Sequence, residues 1–251
     1  MNLVSRLLTV VPVAVLAGCV APQPLVKDVL IDPHSYLASN LSEAKLPDPV
    51  RDALGVQAPG SVKRQVRIDA VMTNVDGDKK QNFEKTYTFH VLDNGLARVL
   101  IQTGNNGMHS LTEFGLSYHG VFYLIYTSMS HSATNVFSPT YTKAIARLDK
   151  GIGEPQEATE YVFEYALAPE VQIANFQNRK TTCKTGKWVS AGTVHAKLKG
   201  VALPVDCEYF GRNGENFLKS QSVFIKDLGV TLPRESATST RKRFWTVSDV
   251  K

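Results

Sequence analysis

From Ser61 onward, apolar residues recur at every second position, and short turn signals cut the runs at close intervals. A chain written this way folds as antiparallel sheet, because a period of two places alternate side chains on opposite faces of a strand. Val66, Ile68, Ala70 and Met72 form the first apolar face, and Asp76-Gly77-Asp78 ends the run. Phe83, Tyr87, Phe89 and Val91 share a face of the second strand, with Lys85 as the exception among them. Asp93-Asn94-Gly95 is a strong hairpin signal, after which Ala97, Val99 and Ile101 continue as a third strand. Consecutive strands joined by tight turns pair antiparallel.

The pattern persists to the C-terminus. Gly104-Asn105-Asn106-Gly107 marks a turn, and Val121 to Tyr126 is apolar on both faces, as a covered central strand requires. Thr127 to Thr140 has neither period and reads as a loop. Ala144, Ala146 and Leu148 precede the turn Asp149-Lys150-Gly151, and Tyr161, Phe163, Tyr165 and Leu167 form the cleanest alternation, read as core. Further strands are expected over Val194 to Leu198, over Val205 to Tyr209 ahead of the turn Arg212-Asn213-Gly214, at Val223 and Ile225 as the penultimate strand, and at Phe244 to Val247 as the last. No stretch after residue 60 sustains a helical period for three turns, and no internal repeat is present. The expected fold is mainly β, an antiparallel sandwich or a curved half-barrel.

The N-terminus follows other rules. Arg6 supplies a positive charge, Leu7 to Leu16 a short apolar run interrupted by Pro12, and Leu16-Ala17-Gly18 small residues directly before Cys19. The run is far shorter than the roughly 20 residues that span a bilayer as a helix. Leu16-Ala17-Gly18-Cys19 resembles the lipobox of bacterial lipoproteins. The resemblance implies that residues 1–18 are a signal peptide and that the Cys19 thiol receives a diacylglycerol. Cleavage before Cys19 and a further, palmitate-type acylation of its amino group then follow. Val20, where retained lipoproteins carry Asp, resembles the class destined for the outer membrane, facing the periplasm. Several acyl chains make a stable anchor where one does not. Between this anchor and a domain spanning 60–251, residues 19–59 contain Pro22, Pro24, Pro33, Pro47, Pro49 and Pro59 and read as a semi-rigid tether, with short helices over Ser35 to Leu46 and Val50 to Leu54.

Apolar content of 43% and charged content of 20% suit a globular domain with a real core. A net charge of +5 is mild, and nothing points to nucleic acid as a partner. With Cys19 assigned to lipid, Cys183 and Cys207 remain in an oxidising compartment. They are expected to form a disulfide rather than two free buried thiols, since neither has a neighbour at zinc-ligand spacing.

Gly115-Leu116-Ser117-Tyr118-His119-Gly120 brings a serine near a histidine, but a nucleophile elbow needs glycine two residues after the serine, where His119 stands. The segment reads as a loop between strands. The histidines, His131 and His195 among them, show no paired metal-ligand spacing, and Gly151-Ile152-Gly153 lacks the third glycine of a dinucleotide loop. Neither cofactor nor metal is expected. Arg241-Lys242-Arg243, beside Phe244 and Trp245, is the densest basic cluster, read as a charged edge strand or as a contact for an anionic surface.

Cys183, Cys207 and Ile225-Lys226-Asp227-Leu228-Gly229-Val230 are similar to the C-terminal part of uncharacterised proteobacterial periplasmic β proteins, a resemblance that implies no activity. The expectation is an outer-membrane-anchored periplasmic lipoprotein that acts as a binding or envelope-complex accessory module, with an envelope protein or lipid as partner. Two alternatives are a periplasmic hydrolase assembled around Ser117, His119 or His131, and an inhibitor or immunity protein that uses Thr127 to Thr140 as a wedge.

Overall fold

The alternating stretches become thirteen strands in a computed structural model that describes residues 24–251. Leu16-Ala17-Gly18-Cys19 therefore lies outside the described residues. The strands are β1 (Val62–Asp76), β2 (Lys79–Leu92), β3 (Leu96–Asn105), β4 (Met108–Tyr118), β5 (Phe122–Ser130), β6 (Thr140–Leu148) and β7 (Glu160–Pro169). They continue with β8 (Gln177–Thr185), β9 (Val189–Ser190), β10 (Val201–Phe210), β11 (Asn216–Ile225), β12 (Val230–Ala237) and β13 (Arg241–Val250). Every pairing is antiparallel. β1 pairs with both β2 and β13, and β10 pairs with both β8 and β11, so all strands but the two-residue β9 form a closed ring. The mainly β expectation is met, and the curvature goes to full closure as a twelve-stranded antiparallel barrel.

Alternation decides which residues fill the barrel. Val66, Ile68 and Ala70 of β1 oppose Phe89, Tyr87 and Lys85 of β2, and these side chains face inward with Val99 and Ile101 of β3. The opposite faces of β1 and β2 carry Arg67, Asp69 and Glu84.

The two ends of the barrel differ. At one end the β11–β12 hairpin turns in across the opening. Val223, Ile225, Val230 and Leu232 pack with Val66, Ile68, Phe89 and Val99, and Leu198 and Ala191 join them. Arg64 donates to the Asp227 carbonyl at the hairpin tip, and Thr231 Oγ1 donates to the His119 carbonyl at 3.3 Å. His119 and Gly120 take φ of 49° and 70° in the β4–β5 turn, and a side chain at position 120 would collide with the Thr231 backbone, so glycine permits the hairpin to close this end. Among the described residues no hairpin turns in across the opposite end.

Three short helices lie on the outer face of β3 and on β6: α1 (Val26–Ile31), α2 (Pro33–Asn40) and α3 (Asp48–Leu54). Where the sequence suggests an extended tether over 19–59, residues 24–56 thus fold onto the barrel. Val29, Leu37, Leu41, Val50 and Leu54 are buried against Leu96, Leu100, Phe114 and Leu116. The prolines serve as helix starters: Pro33 begins α2 behind Asp32, whose side chain accepts from Ser35 N, and Pro49 lies in the first turn of α3. Glu43, in the turn between α2 and α3, is buried and pairs with Arg98 of β3 at 3.3 Å.

Four local expectations are corrected. Val194 to Leu198 is not a strand. A single 3-10 turn at Ala191–Thr193 leads into a hydrogen-bonded turn, in which Leu198 N donates to His195 O, and only Leu198 buries its side chain in this stretch. Val223 and Ile225 belong to β11, which two strands follow. β12 escapes a period-two reading because Pro233 and a bulge beside Ser222 break its register. Gly115 to Tyr118 is strand rather than loop, leaving only His119-Gly120-Val121 as the turn. Thr127 to Ser130 completes β5, and the rest of the supposed wedge folds back. Val136 is buried, and Asn135 bridges Leu25.

Cys183 and Cys207 are directly opposite one another on β8 and β10 and form a disulfide, buried with Phe163 and Val205.

Candidate functional site in the barrel lumen

Above the plugged end the barrel encloses a cavity of about 610 Å³, lined by residues of β1–β5 and β10–β13. Met72, Phe83, Phe89, Ile101 and Trp245 supply an apolar wall. That Trp245, Arg243 and Arg241 line the cavity while Lys242 does not follows from alternation along β13.

A polar belt crosses the apolar wall at mid-depth. Lys85 of β2 reaches over β3 to Glu113 of β4, with Nζ to Oε2 at 2.8 Å. Tyr126 of β5 donates its hydroxyl to the other Glu113 oxygen, Oε1, at 2.7 Å. A buried ion pair costs much of its Coulombic gain in desolvation, so apolar residues would hold this wall at least as well. The pair therefore supplies charge and donors inside a chamber whose lining mixes apolar side chains with Asn74, Thr103, Ser220 and Ser222. Lys85 is the residue that interrupts the apolar face of β2 in the sequence; Glu113 gives no comparable signal, because β4 reads ambiguously around Gly115.

The phenols beside this belt are held neutral. Burial raises the Tyr126 pKa far above the ordinary phenol value, and the Glu113 carboxylate adds to the effect. Tyr123 and Tyr87 are raised in the same way, burial first and neighbouring groups second. They remain donors at any physiological pH. Tyr123 is 40% exposed although protein surrounds it, because its free surface faces the cavity. Gly115, across from it in the wall, makes room: a β-carbon there would overlap the Tyr123 ring. Gly115→Val is expected to push that ring into the lumen while leaving the β spectrum intact, a change that near- and far-ultraviolet circular dichroism read separately.

Three buried polar atoms on residues that line this chamber have no hydrogen-bond partner among the described residues: Asn74 Oδ1, Thr103 Oγ1 and Trp245 Nε1. The indole N–H lies close enough to Tyr87 to favour its phenolate slightly, but it is too poorly aligned to count as a hydrogen bond. Buried polar groups are almost always satisfied, so these three are exceptions in the wall; the atoms themselves have almost no accessible surface and do not open onto the chamber.

At the mouth, Arg241 pairs with Asp76 at 3.1 Å, whereas Arg243 makes no ion pair among the described residues. The basic cluster thus divides, with two arginines at the cavity and Lys242 on the outside of the wall.

The other candidates are not brought together. Ser117 is buried in β4 and donates its hydroxyl to the Ala97 carbonyl at 3.1 Å. His119 packs its ring edge on Tyr118, and burial lowers its pKa. His131 shares a hydrogen bond with Thr112 at 2.8 Å. His34 and His90 meet at 3.3 Å between α2 and β2. Among the described residues no group of three or more His, Cys, Asp or Glu side chains is placed to hold a metal ion.

No family model and no curated protein matches the chain. Among solved structures it is similar to the crystal structure of a DUF1329 family protein from Desulfovibrio piger ATCC 29098 at 1.75 Å resolution. The two are 11% identical with a TM-score of 0.41, and the match covers 82% of this chain and 93% of that one. A likeness so distant carries nothing about ligand or activity.

Proposed function

We propose that this protein is a lipid-anchored binding module of the cell envelope whose barrel lumen holds a small amphipathic molecule. The observation that carries the reading is the Lys85–Glu113–Tyr126 belt inside one chamber, charge and donors placed where holding the wall does not require them. A cavity of about 610 Å³ falls within the range of small-molecule sites, which combine an apolar lining with a few placed polar groups. The guest's apolar body lies against Met72, Phe83, Phe89 and Ile101, and its polar part meets the Lys85, Glu113 and Tyr126 belt.

The barrel wall supports a water-exposed setting. Arg67, Asp69 and Glu84 point outward and aromatic rings point inward, the reverse of a lipid-embedded barrel with its apolar outer band. No helix among the described residues is long and apolar enough to cross a membrane. Membrane attachment rests on the lipobox at Cys19, and the Cys183–Cys207 disulfide is in keeping with an oxidising compartment such as the periplasm.

Two measurements test this reading. A dansyl-labelled fatty acid titrated into the protein should bind saturably, one per chain, with energy transfer from Trp245 that disappears in Trp245→Phe. Unsaturable binding, or transfer unaffected by that change, sinks the lumen assignment. Cys19→Ala should abolish incorporation of labelled palmitate and release the protein from membranes, and continued labelling would overturn the anchor.

A further inference from the structure

We infer that the open end of the barrel is a docking face for an anionic lipid bilayer, so that the cavity mouth is held against the membrane surface. The inference deepens the proposed function, because it names the surface from which the lumen is served. It rests on that reading for the cavity's role, though not for the docking itself.

Antiparallel order puts alternate turns at the same end of a barrel. The β1–β2, β3–β4, β5–β6, β7–β8, β10–β11 and β12–β13 connections all leave at the end opposite the β11–β12 plug, where Arg241 and Arg243 mark the mouth. Three successive connections here expose large apolar side chains: Met108 is 74% exposed, Phe137 63%, Val171 80% and Ile173 92%. Away from this end the large exposed hydrophobics are isolated: Ile31 of α1 at 83%, three residues before His34, which meets His90, and Val62 at 51%. Lone exposed apolar residues need no explanation, but Met108, Val171 and Ile173 in two turns, with Phe137 on the folded-back connection between them, put four on this side of the barrel.

The other half of the same rim is cationic. Lys79 and Lys80 follow the β1–β2 turn, Arg212 sits in the β10–β11 turn, and Arg241, Lys242 and Arg243 begin β13. Of the acids nearby, Asp76 is engaged with Arg241, and Glu215 bonds the Asn213 backbone N–H within its own turn; Asp78 and Glu235 make no ion pair among the described residues, so cations outnumber free acids on this arc. An apolar arc that can enter the headgroup region, beside a basic arc that attracts anionic headgroups, fits a bilayer bearing negative lipids.

The path of the N-terminal chain points the same way. Pro24 accepts a hydrogen bond from Val136 N at 3.2 Å, Leu25 bridges Asn135, and Val26 N donates to Thr134 O at 3.0 Å. The chain therefore enters the fold along the β5–β6 connection that carries Phe137. Cys19 precedes Pro24 by five residues, a reach of at most about 18 Å even when fully extended. Acyl chains on Cys19 would hold this end, and no other, next to the bilayer.

The test uses the full-length Cys19→Ala chain, so that no acyl chain contributes. An environment-sensitive nitrobenzoxadiazole dye is attached at Ile173→Cys or, at the plugged end, at Lys199→Cys. Vesicles of phosphatidylglycerol and phosphatidylethanolamine are expected to raise and blue-shift emission at position 173 several-fold and to leave position 199 unchanged, with neutral phosphatidylcholine vesicles doing neither. Removing three cations together, Arg241→Ser, Lys242→Ser and Arg243→Ser, should weaken vesicle partitioning roughly a hundredfold, at about fivefold per cation. Equal responses at the two positions, no response at 173, or indifference to the charge substitutions overturns the inference. Saturable binding of the dansyl fatty acid alongside failed vesicle binding leaves the lumen reading standing and rejects docking alone; vesicle binding without lumen binding does the reverse.

Discussion

Replacing Cys183 and Cys207 together with alanine should lower the unfolding free energy by up to about 3 kcal/mol. The bond closes a loop between positions 24 apart in sequence, for which chain entropy alone predicts about 3.5 kcal/mol. It also clamps β8 to β10 at a directly opposed pair, in the stretch where the ring turns from its eighth strand toward the closing hairpin. A chain of this size converts such a loss to a fall in Tm on the order of 6–12 °C. Both sulfurs are buried, so reduction should require the wall to open and should be slow without denaturant. Paired urea melts of the native protein and the double variant decide the matter. A difference below about 1 kcal/mol, or two reactive thiols in the unfolded, non-reduced native protein, would refute it.

The second large effect belongs to the lumen. Lys85→Met leaves the Glu113 carboxylate in the barrel interior without its cation, and breaking a buried pair from one side costs about 3–5 kcal/mol. Cavity solvent and the remaining Tyr126 hydrogen bond soften that loss, so the expected cost is roughly 2–3 kcal/mol. Glu113→Gln added to Lys85→Met removes the stranded charge and should recover most of the stability while still accepting from Tyr126. The signature is therefore a coupling in a double-mutant cycle, with the double variant more stable than Lys85→Met alone. Additive losses, or a Lys85→Met protein within about 0.5 kcal/mol of the native one, would mean that the pair does not act as a unit.

Lys85 also shows how far the sequence could be read. Alternation over Val66 to Met72 and Phe83 to Val91 locates strands and their apolar faces, because one face of each must be buried, and a lysine on that face is an anomaly visible without coordinates. Its partner is not visible, since Glu113 lies two strands away and only the register of β2, β3 and β4 brings the two together. Closure escapes for the same reason. Whether a sheet ends in free edges or returns on itself depends on the pairing of β1 with β13 and of β8 with β10, and neither leaves a local signal. The segment over 24–56 misleads in a different way. Pro33 and Pro49 read equally as breakers of helix and as first residues of helix, and only the buried Leu37, Leu41 and Val50 decide between the two. Arg241-Lys242-Arg243 reads as one basic run, yet the strand it sits in sends its members to opposite sides of the wall.

The pairing of the first barrel strand with the last bears on how the molecule comes into being. Arg67 N donates to Lys251 O at 3.0 Å and Lys251 N to Arg67 O at 2.9 Å, which joins a residue near the start of the barrel to the residue just past its last strand. Hairpins such as β1–β2 and β3–β4 can form within microseconds of the relevant residues becoming available, whereas this seam must wait until all thirteen strands exist, and bringing such distant partners together is slow. During that wait β1 and β13 present unpaired backbone, the kind of edge that other chains join. A nascent molecule is thus most vulnerable to aggregation in the interval before β13 locks in against β1, and deleting even a few residues of β13 should prolong that interval.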